Sequence, residues 1–124
     1  MIEVVGGDVP FSALAKHLDA HTAEVILCGE LDLAAVPVLA DEVATALAPG
    51  PRLLLLDFSA VTFLGSCGIS AMIEAQQRAK AQAAQLHVFG ATHHAVRRAL
   101  DLTGAATFLT ICPSRDDALA HDES

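Results

Sequence analysis

Two side chains that could take part in chemistry stand in one glycine-flanked turn. In the segment Phe63-Leu64-Gly65-Ser66-Cys67-Gly68-Ile69, a serine and a cysteine stand next to each other between two glycines. If a helix begins here, its free N–H groups and its dipole favour a phosphate, so the Ser66 hydroxyl could accept a phosphoryl group. The simpler interpretation is that Ser66 caps the helix, as serine commonly does.

Cys67 could instead act as a nucleophile, because a cysteine at the start of a helix is often activated. The pattern of cysteine phosphatases requires Arg six residues later, where this chain has Ile73, and a CxxC redox pair is absent. The three cysteines, Cys28, Cys67 and Cys112, are odd in number and widely spaced, which fits neither a disulfide framework nor a paired zinc motif. A small enzyme built on Cys67 is therefore the weaker hypothesis, and close packing in the turn is favoured.

Asp57 follows an apolar run, as the phosphoacceptor of a receiver domain does. Such a site also needs a late lysine, and the last lysine of this chain is Lys80. We therefore expect Asp57 to be a structural residue that ties down the loop after it. The adjacent His93 and His94 would point apart on a helix and have no carboxylate cluster near them in sequence, so we expect them to face solvent. No metal site and no cofactor is expected.

Composition limits the classes of partner. The chain has 124 residues, 53% of them hydrophobic, which is enough for the core of one domain. Its formal charge of −8 disfavours direct binding to nucleic acid. The longest uncharged stretch, residues 58–73, is too short to span a membrane, so no membrane insertion is expected. Neither a secretory signal nor paired cysteines are present, which favours a cytoplasmic location.

Strand and helix patterns alternate along the chain, which predicts an α/β fold with a mixed sheet of four or five strands packed against helices. Turn signals in residues 1–10 predict a peripheral segment. A hairpin is expected from strands near 12–17 and 25–28, and Leu53 to Leu56 should form the central strand, since the run is apolar on both faces. The other expected elements are helices near 35–48, 66–83 and 93–103, strands at 86–89 and 108–111, and a short helix capped by Ser114. Thr92 is expected to cap the third helix and Gly104 to end it.

Four features in this order resemble the STAS domain. They are the turn Gly29-Glu30-Leu31-Asp32, a strand ending in Asp57, the Ser66 turn that leads into a helix, and a basic, apolar helix from Ala95 that closes at Gly104. The resemblance implies that residues 11–124 form a single STAS domain. Gly65 stands where the family often has Asp, and Cys67 where it often has a second Ser.

The resemblance is closest to the anti-sigma factor antagonists, and it implies a binding module instead of an enzyme. Such a protein binds an anti-sigma factor and frees a sigma factor, until the serine that aligns with Ser66 is phosphorylated by the kinase activity of that partner. A serine phosphatase is a further implied partner. The expected partner-binding residues are Asp32, Leu33, Gly65, Ser66, Cys67 and Gly68.

Two alternatives remain within the family, an accessory subunit of a lipid-transport ATPase and a ligand-binding module. Asp32 likewise has two interpretations. It could contact a partner, or it could satisfy the backbone of its own turn.

Overall fold

The structure, a computed structural model, describes residues 11–120. They form one mixed five-stranded sheet with helices packed on it. The predicted peripheral segment, residues 1–10, lies outside the described residues. The strands are β1 (Ser12–His17), β2 (Thr22–Leu31), β3 (Leu53–Leu64), β4 (Gln85–Phe89) and β5 (Thr110–Cys112). The helices are α1 (Val36–Leu47), α2 (Ser66–Ala81), α3 (His94–Thr103) and α4 (Arg115–Ala120), and Leu33–Ala35 and Ala105–Thr107 form single 3₁₀ turns.

The strands follow one another across the sheet in chain order. β1 and β2 form the predicted hairpin, whose turn is held by a 2.7 Å hydrogen bond from the His21 N–H to Asp19 Oδ1. The pairs β2–β3, β3–β4 and β4–β5 are parallel, and a helix connects the strands of each pair. The prediction of an α/β fold with a mixed sheet is confirmed.

β3 is the central strand, as its run of four leucines predicted. Leu54 and Leu56 belong to the large core under α1, α2 and α3, while Leu55 belongs to a smaller cluster on the opposite face. A strand that is buried on both faces has no polar side to show, which explains the unbroken apolar run.

The prediction that this strand ends at Asp57 is wrong, because β3 continues to Leu64. Between the paired positions Ile26–Asp57 and Cys28–Ala60, β3 has one residue more than β2, which is a bulge. The Asp57 carboxylate accepts a 2.9 Å hydrogen bond from the Ser59 N–H and another from the Ser59 hydroxyl at this bulge. Asp57 therefore stabilises an irregular stretch inside the strand.

The helix predictions are confirmed to within two residues at each boundary. Pro37 lies in the first turn of α1, and Gly104 ends α3 with a left-handed φ of 70°. The cap of α3 is His93 and not Thr92, because His93 Nδ1 accepts a 3.2 Å hydrogen bond from the Ala95 N–H. His93 and His94 are both exposed.

β5 begins at Thr110 and not at residue 108, because the 3₁₀ turn after Gly104 extends the connection from α3. Phe108 is left 64% exposed as a result. Ser114 caps α4 as predicted, since its Oγ accepts a 3.2 Å hydrogen bond from the Asp117 N–H.

A carboxylate is buried on the sheet face that carries α4. Glu24 on β2 is 0% exposed, and its Oε1 accepts a 2.9 Å hydrogen bond from Arg115 Nη2. Burial raises the pKa of Glu24 above 4.5, and the nearby Asp57 adds to the rise, while Arg115 and Lys16 oppose it. The cost of removing the carboxylate from water is thus the larger effect.

The raised pKa of Glu24 predicts how stability depends on pH. A folded-state pKa above the unfolded one contributes stability at low pH that is lost as pH rises through the folded pKa. We therefore expect the free energy of unfolding of Glu24→Gln, relative to the native protein, to increase as pH rises from 4.5 to neutrality. Urea denaturation at several pH values measures this difference. Glu30→Gln, an exposed position on the same strand, is the control, and an equal pH slope in both variants would contradict the prediction.

Candidate functional site

The two sequence motifs meet at the end of neighbouring parallel strands. Leu31, the last residue of β2, pairs in register with Leu64, the last residue of β3. The Gly65 N–H then donates a 3.0 Å hydrogen bond to the Leu31 carbonyl. The turn after β2, which carries Asp32 and Leu33, is thereby joined to the turn that starts α2.

Gly68 allows the first turn of α2 to lie directly on the end of β2. A Cβ at this position would be 2.5 Å from the Leu31 carbonyl oxygen, 2.8 Å from Leu31 Cγ and 2.9 Å from Leu64 Cδ1. These distances are shorter than any side chain tolerates, and one of the atoms is backbone, so only glycine fits. Gly68 is buried, and it contributes to this site by allowing close approach and not by presenting a side chain.

Ser66 is the first residue of α2, and it does not cap the helix. The capping position is Gly65, which has extended backbone and no side chain to accept a hydrogen bond. The Ser66 side chain is exposed, and its hydroxyl makes no hydrogen bond within residues 11–120. The simpler interpretation of Ser66 as a helix cap is therefore wrong, and its hydroxyl is open to a reaction partner.

Exposed apolar side chains lie on the elements around this hydroxyl. Leu33 is 71% exposed, Phe63 is 43% exposed and Val38 on α1 is 38% exposed, and Cys67 is exposed too. The Phe63 ring stands beside Gly65, 3.3 Å from where a Cβ of that glycine would lie. Apolar side chains grouped on a surface commonly mark a protein-binding site.

Asp32 is half-buried at the start of the 3₁₀ turn after β2. Its carboxylate makes no capping hydrogen bond in that turn, which leaves it available to a partner. The structure does not bring Asp57 into this group, because Asp57 lies seven residues before the end of β3 and bonds to Ser59.

The sequence does not predict that Phe63 and Val38 are surface residues. Phe63 falls inside the uncharged stretch 58–73, in which nothing distinguishes an exposed side chain from a buried one. β3 pairs with β4 only as far as Asp57, so Phe63 lies where β2 is, among residues 11–120, the one strand paired with β3, and the sequence carries no signal of this.

An apolar groove lies between α1 and α2. An ion pair at 3.7 Å joins Glu74 and Arg78 at its rim on α2. Its other lining residues are Val36, Leu39, Ala40, Val43, Ala71 and Ala75. Within the described chain, no three His, Cys, Asp or Glu side chains are grouped to hold a metal ion. The arrangement suits contact with a protein surface.

The family model of the STAS domain matches residues 20–118. Among solved structures, the chain is similar to an anti-sigma factor antagonist from Mycobacterium paratuberculosis, with 30% identity, a TM-score of 0.79, and coverage of 90% of this chain and 95% of that one. None of the curated proteins compared with the chain matches it.

Two more distant structures share the fold. Unphosphorylated SpoIIAA, an anti-sigma factor antagonist of Bacillus, is 18% identical over 87% of this chain and 93% of its own, with a TM-score of 0.71. SLC26A9 is 17% identical, with a TM-score of 0.70, and the match covers 88% of this chain but 23% of that protein. None of the helices in residues 11–120 has the length and apolar character needed to cross a membrane.

The contact between Gly68 and Leu31 can be tested with two matched substitutions. Gly68→Ala forces a methyl group against the Leu31 carbonyl, and overpacking of this kind costs about 1–3 kcal/mol of the free energy of unfolding. Gly65→Ala is crowded by the movable Phe63 ring at 3.3 Å, while the Leu31 carbonyl oxygen is at an ordinary 3.9 Å, so we expect a loss below about 1 kcal/mol. Urea denaturation measures both values. Equal losses would show that the close approach at Gly68 is not the constraint we describe.

Proposed function

The chain belongs to the STAS domain family, and on this basis we propose that it is an anti-sigma factor antagonist that phosphorylation of Ser66 switches off. The observation that carries the proposal is the exposed Ser66 hydroxyl at the first position of α2, beside the Asp32–Leu33 turn. The similarity to the Mycobacterium paratuberculosis antagonist over most of both chains supports the same function.

In the unphosphorylated state, the surface around Ser66 would bind the anti-sigma factor and so release a sigma factor. Leu33 and Phe63 supply apolar area, and each exposed side chain that becomes fully buried contributes about 1.5–3 kcal/mol. Asp32 would add a charged contact. The groove between α1 and α2 would extend the same surface, with the Glu74–Arg78 pair at its edge.

The switch would be a phosphoryl transfer in which the partner supplies the catalytic groups. The Ser66 hydroxyl oxygen attacks the γ-phosphorus of ATP on the anti-sigma factor, the hydroxyl proton passes to a base of that partner, and ADP leaves. The product carries about −1.5 to −2 charge on a side chain that is exposed before the reaction.

The folded domain would tolerate the phosphate, because the first turn of α2 offers free N–H groups and the positive end of its dipole. Bacillus SpoIIAA, which shares the fold at 18% identity, has been solved in a phosphorylated form. The interface with the anti-sigma factor would tolerate the phosphate less well than the folded domain does. A charge left unpaired in an interface costs about 2–5 kcal/mol, or roughly 30- to 4000-fold in affinity.

The proposed function places the protein in the cytoplasm, where sigma factors act. A serine phosphatase that removes the phosphate would restore binding to the anti-sigma factor. Neither step requires a reaction catalysed by this chain itself.

Substitution of Ser66 separates binding from modification. We expect Ser66→Glu to weaken binding to the anti-sigma factor by about 30-fold or more, because an unpaired charge enters the interface. Ser66→Ala should bind but resist phosphorylation. The matched control is Gln82→Glu, since Gln82 is exposed at the opposite end of α2. Affinity is measured by isothermal titration calorimetry with the partner.

Mass spectrometry of the chain after incubation with the purified partner and ATP locates the phosphate. Phosphate on another residue, or release of Ser66→Ala by the kinase, would refute the role of Ser66. The partner itself is identified by affinity capture on the unphosphorylated chain. Recovery of a transporter ATPase without any anti-sigma factor would favour the accessory-subunit alternative.

The turn after β2 provides a second test of the surface. Leu33→Ala should lower affinity for the anti-sigma factor by about 1–2 kcal/mol, because the side chain is 71% exposed in the free chain and would be buried in the complex. Asp32→Ala should lower it as well. Leu102→Ala, an equally exposed leucine on α3, is the control. If Leu33→Ala and Asp32→Ala bind as tightly as the native chain, the surface lies elsewhere.

A further inference from the structure

The sheet face opposite α1, α2 and α3 carries a second, smaller apolar cluster. Leu55, Phe89 and Cys112 from three neighbouring strands pack with Ala118 of α4, and all four are at most 6% exposed. Within the described chain, α4 is the helix that covers this face. Among residues 11–120, the cluster is thus covered by one short helix.

Polar contacts and a ring contact join α4 to the sheet within residues 11–120. Arg115 Nη2 donates to Glu24 Oε1 at 2.9 Å, and the Arg115 guanidinium carbon lies 5.5 Å from the centre of the Phe89 ring. The Ala118 carbonyl accepts a 2.8 Å hydrogen bond from His87 Nδ1–H. Lys16 on β1 and Asp57 on β3 also act electrostatically on Glu24.

α4 is held only weakly over the apolar cluster. α4 has six residues, of which only Ala118 is buried. A helix of this length does not form in isolation, so its stability comes from docking. Arg115, which makes the longest-range contact of α4, is itself 44% exposed at its side chain.

Glu24 has capacity for a further donor. Its Oε2 is buried and accepts no hydrogen bond within residues 11–120, although Oε1 is paired with Arg115. A carboxylate and an aromatic ring that both lie within reach of one guanidinium form a site for a planar cation, and the apolar cluster next to them suits a small apolar group. α4 supplies that combination with Arg115 and Ala118, which are three residues apart.

We propose that α4 is a displaceable cover and that the surface beneath it is a second docking site, for a protein segment that carries an arginine three residues before a small apolar residue. The segment would pair its guanidinium with Glu24, stack it on Phe89 and place the small residue over Leu55 and Cys112. This site is on the opposite sheet face from the helices and is independent of the role of Ser66.

Thiol labelling of Cys112 reports on the opening of α4. In the full chain, we expect N-ethylmaleimide to label Cys112 about 10-fold faster in Arg115→Ala than in the native protein, because a charged hydrogen bond is lost. Mass spectrometry of the peptides separates Cys112 from Cys28 and Cys67. The control is Arg78→Ala, which removes a similarly exposed arginine from the other face.

Hydrogen exchange distinguishes opening of α4 from unfolding of the whole domain. If α4 opens separately, amide exchange in residues 115–120 accelerates with the labelling of Cys112 while exchange in residues 54–56 does not change. If both segments accelerate together, or if the labelling rate does not respond to Arg115→Ala, the proposal of a displaceable cover is wrong.

The docking site is tested with a synthetic peptide of residues 113–120, added at millimolar concentration to the full-length Arg115→Ala chain. We expect the peptide to slow labelling of Cys112 at least 3-fold, and the same peptide with Gln in place of Arg to have no effect. If the arginine peptide no longer protects Cys112 in the double variant Glu24→Gln/Arg115→Ala, the result supports pairing of the peptide arginine with Glu24. A failure of the arginine peptide to protect, or equal protection by both peptides, would overturn the proposed occupant.

Discussion

The candidate binding surface depends on the way the Leu31 carbonyl is enclosed at the end of β2. The Gly65 N–H donates to it at 3.0 Å, and Gly68 leaves room for it where any side chain would collide. This contact sets the position of α2 on the sheet and the distance between the Asp32–Leu33 turn and the Ser66 turn. A displaced helix would carry Ser66 away from Asp32 and Leu33, so a buried glycine controls the geometry of exposed residues.

The two faces of the sheet have different physical characters. The face under α1, α2 and α3 is apolar throughout, and it provides the rigid base on which the Ser66 turn stands. The opposite face combines a small apolar cluster with Glu24, whose buried carboxylate depends on Arg115 for compensation. A buried carboxylate that pairs with one half-exposed arginine adds little to the stability of the fold. It makes stability sensitive to that arginine, since loss of the arginine leaves the charge unpaired. The apolar face positions the candidate site, and the proposed displaceable cover lies on the other face.

Much of this architecture could be predicted from the sequence, because the signals are local. The apolar spacing of α1 and α2, the proline at the start of α1 and the glycine that ends α3 each act within a few residues. The run from Leu53 to Leu56 indicates a strand covered on both faces for the same reason. The motifs around Asp32 and Ser66 identify the family, and short parallel connections require their turns to lie at one end of the sheet.

The remaining features depend on contacts between residues that are distant in the chain. β3 continues past Asp57 because it forms a bulge and stays paired with β2. In the sequence alone, Asp57 is a polar residue after an apolar run, which indicates the end of a strand. Glu24 and Arg115 are 91 positions apart, so only the folded chain shows that they pair and that the carboxylate is buried. The sequence by itself determined the elements, the fold class and the identity of the Ser66 turn, through local periodicity and motif order. Tertiary structure decided which side chains around that turn are exposed and what covers the second face, because burial depends on which strands and helices come to lie together.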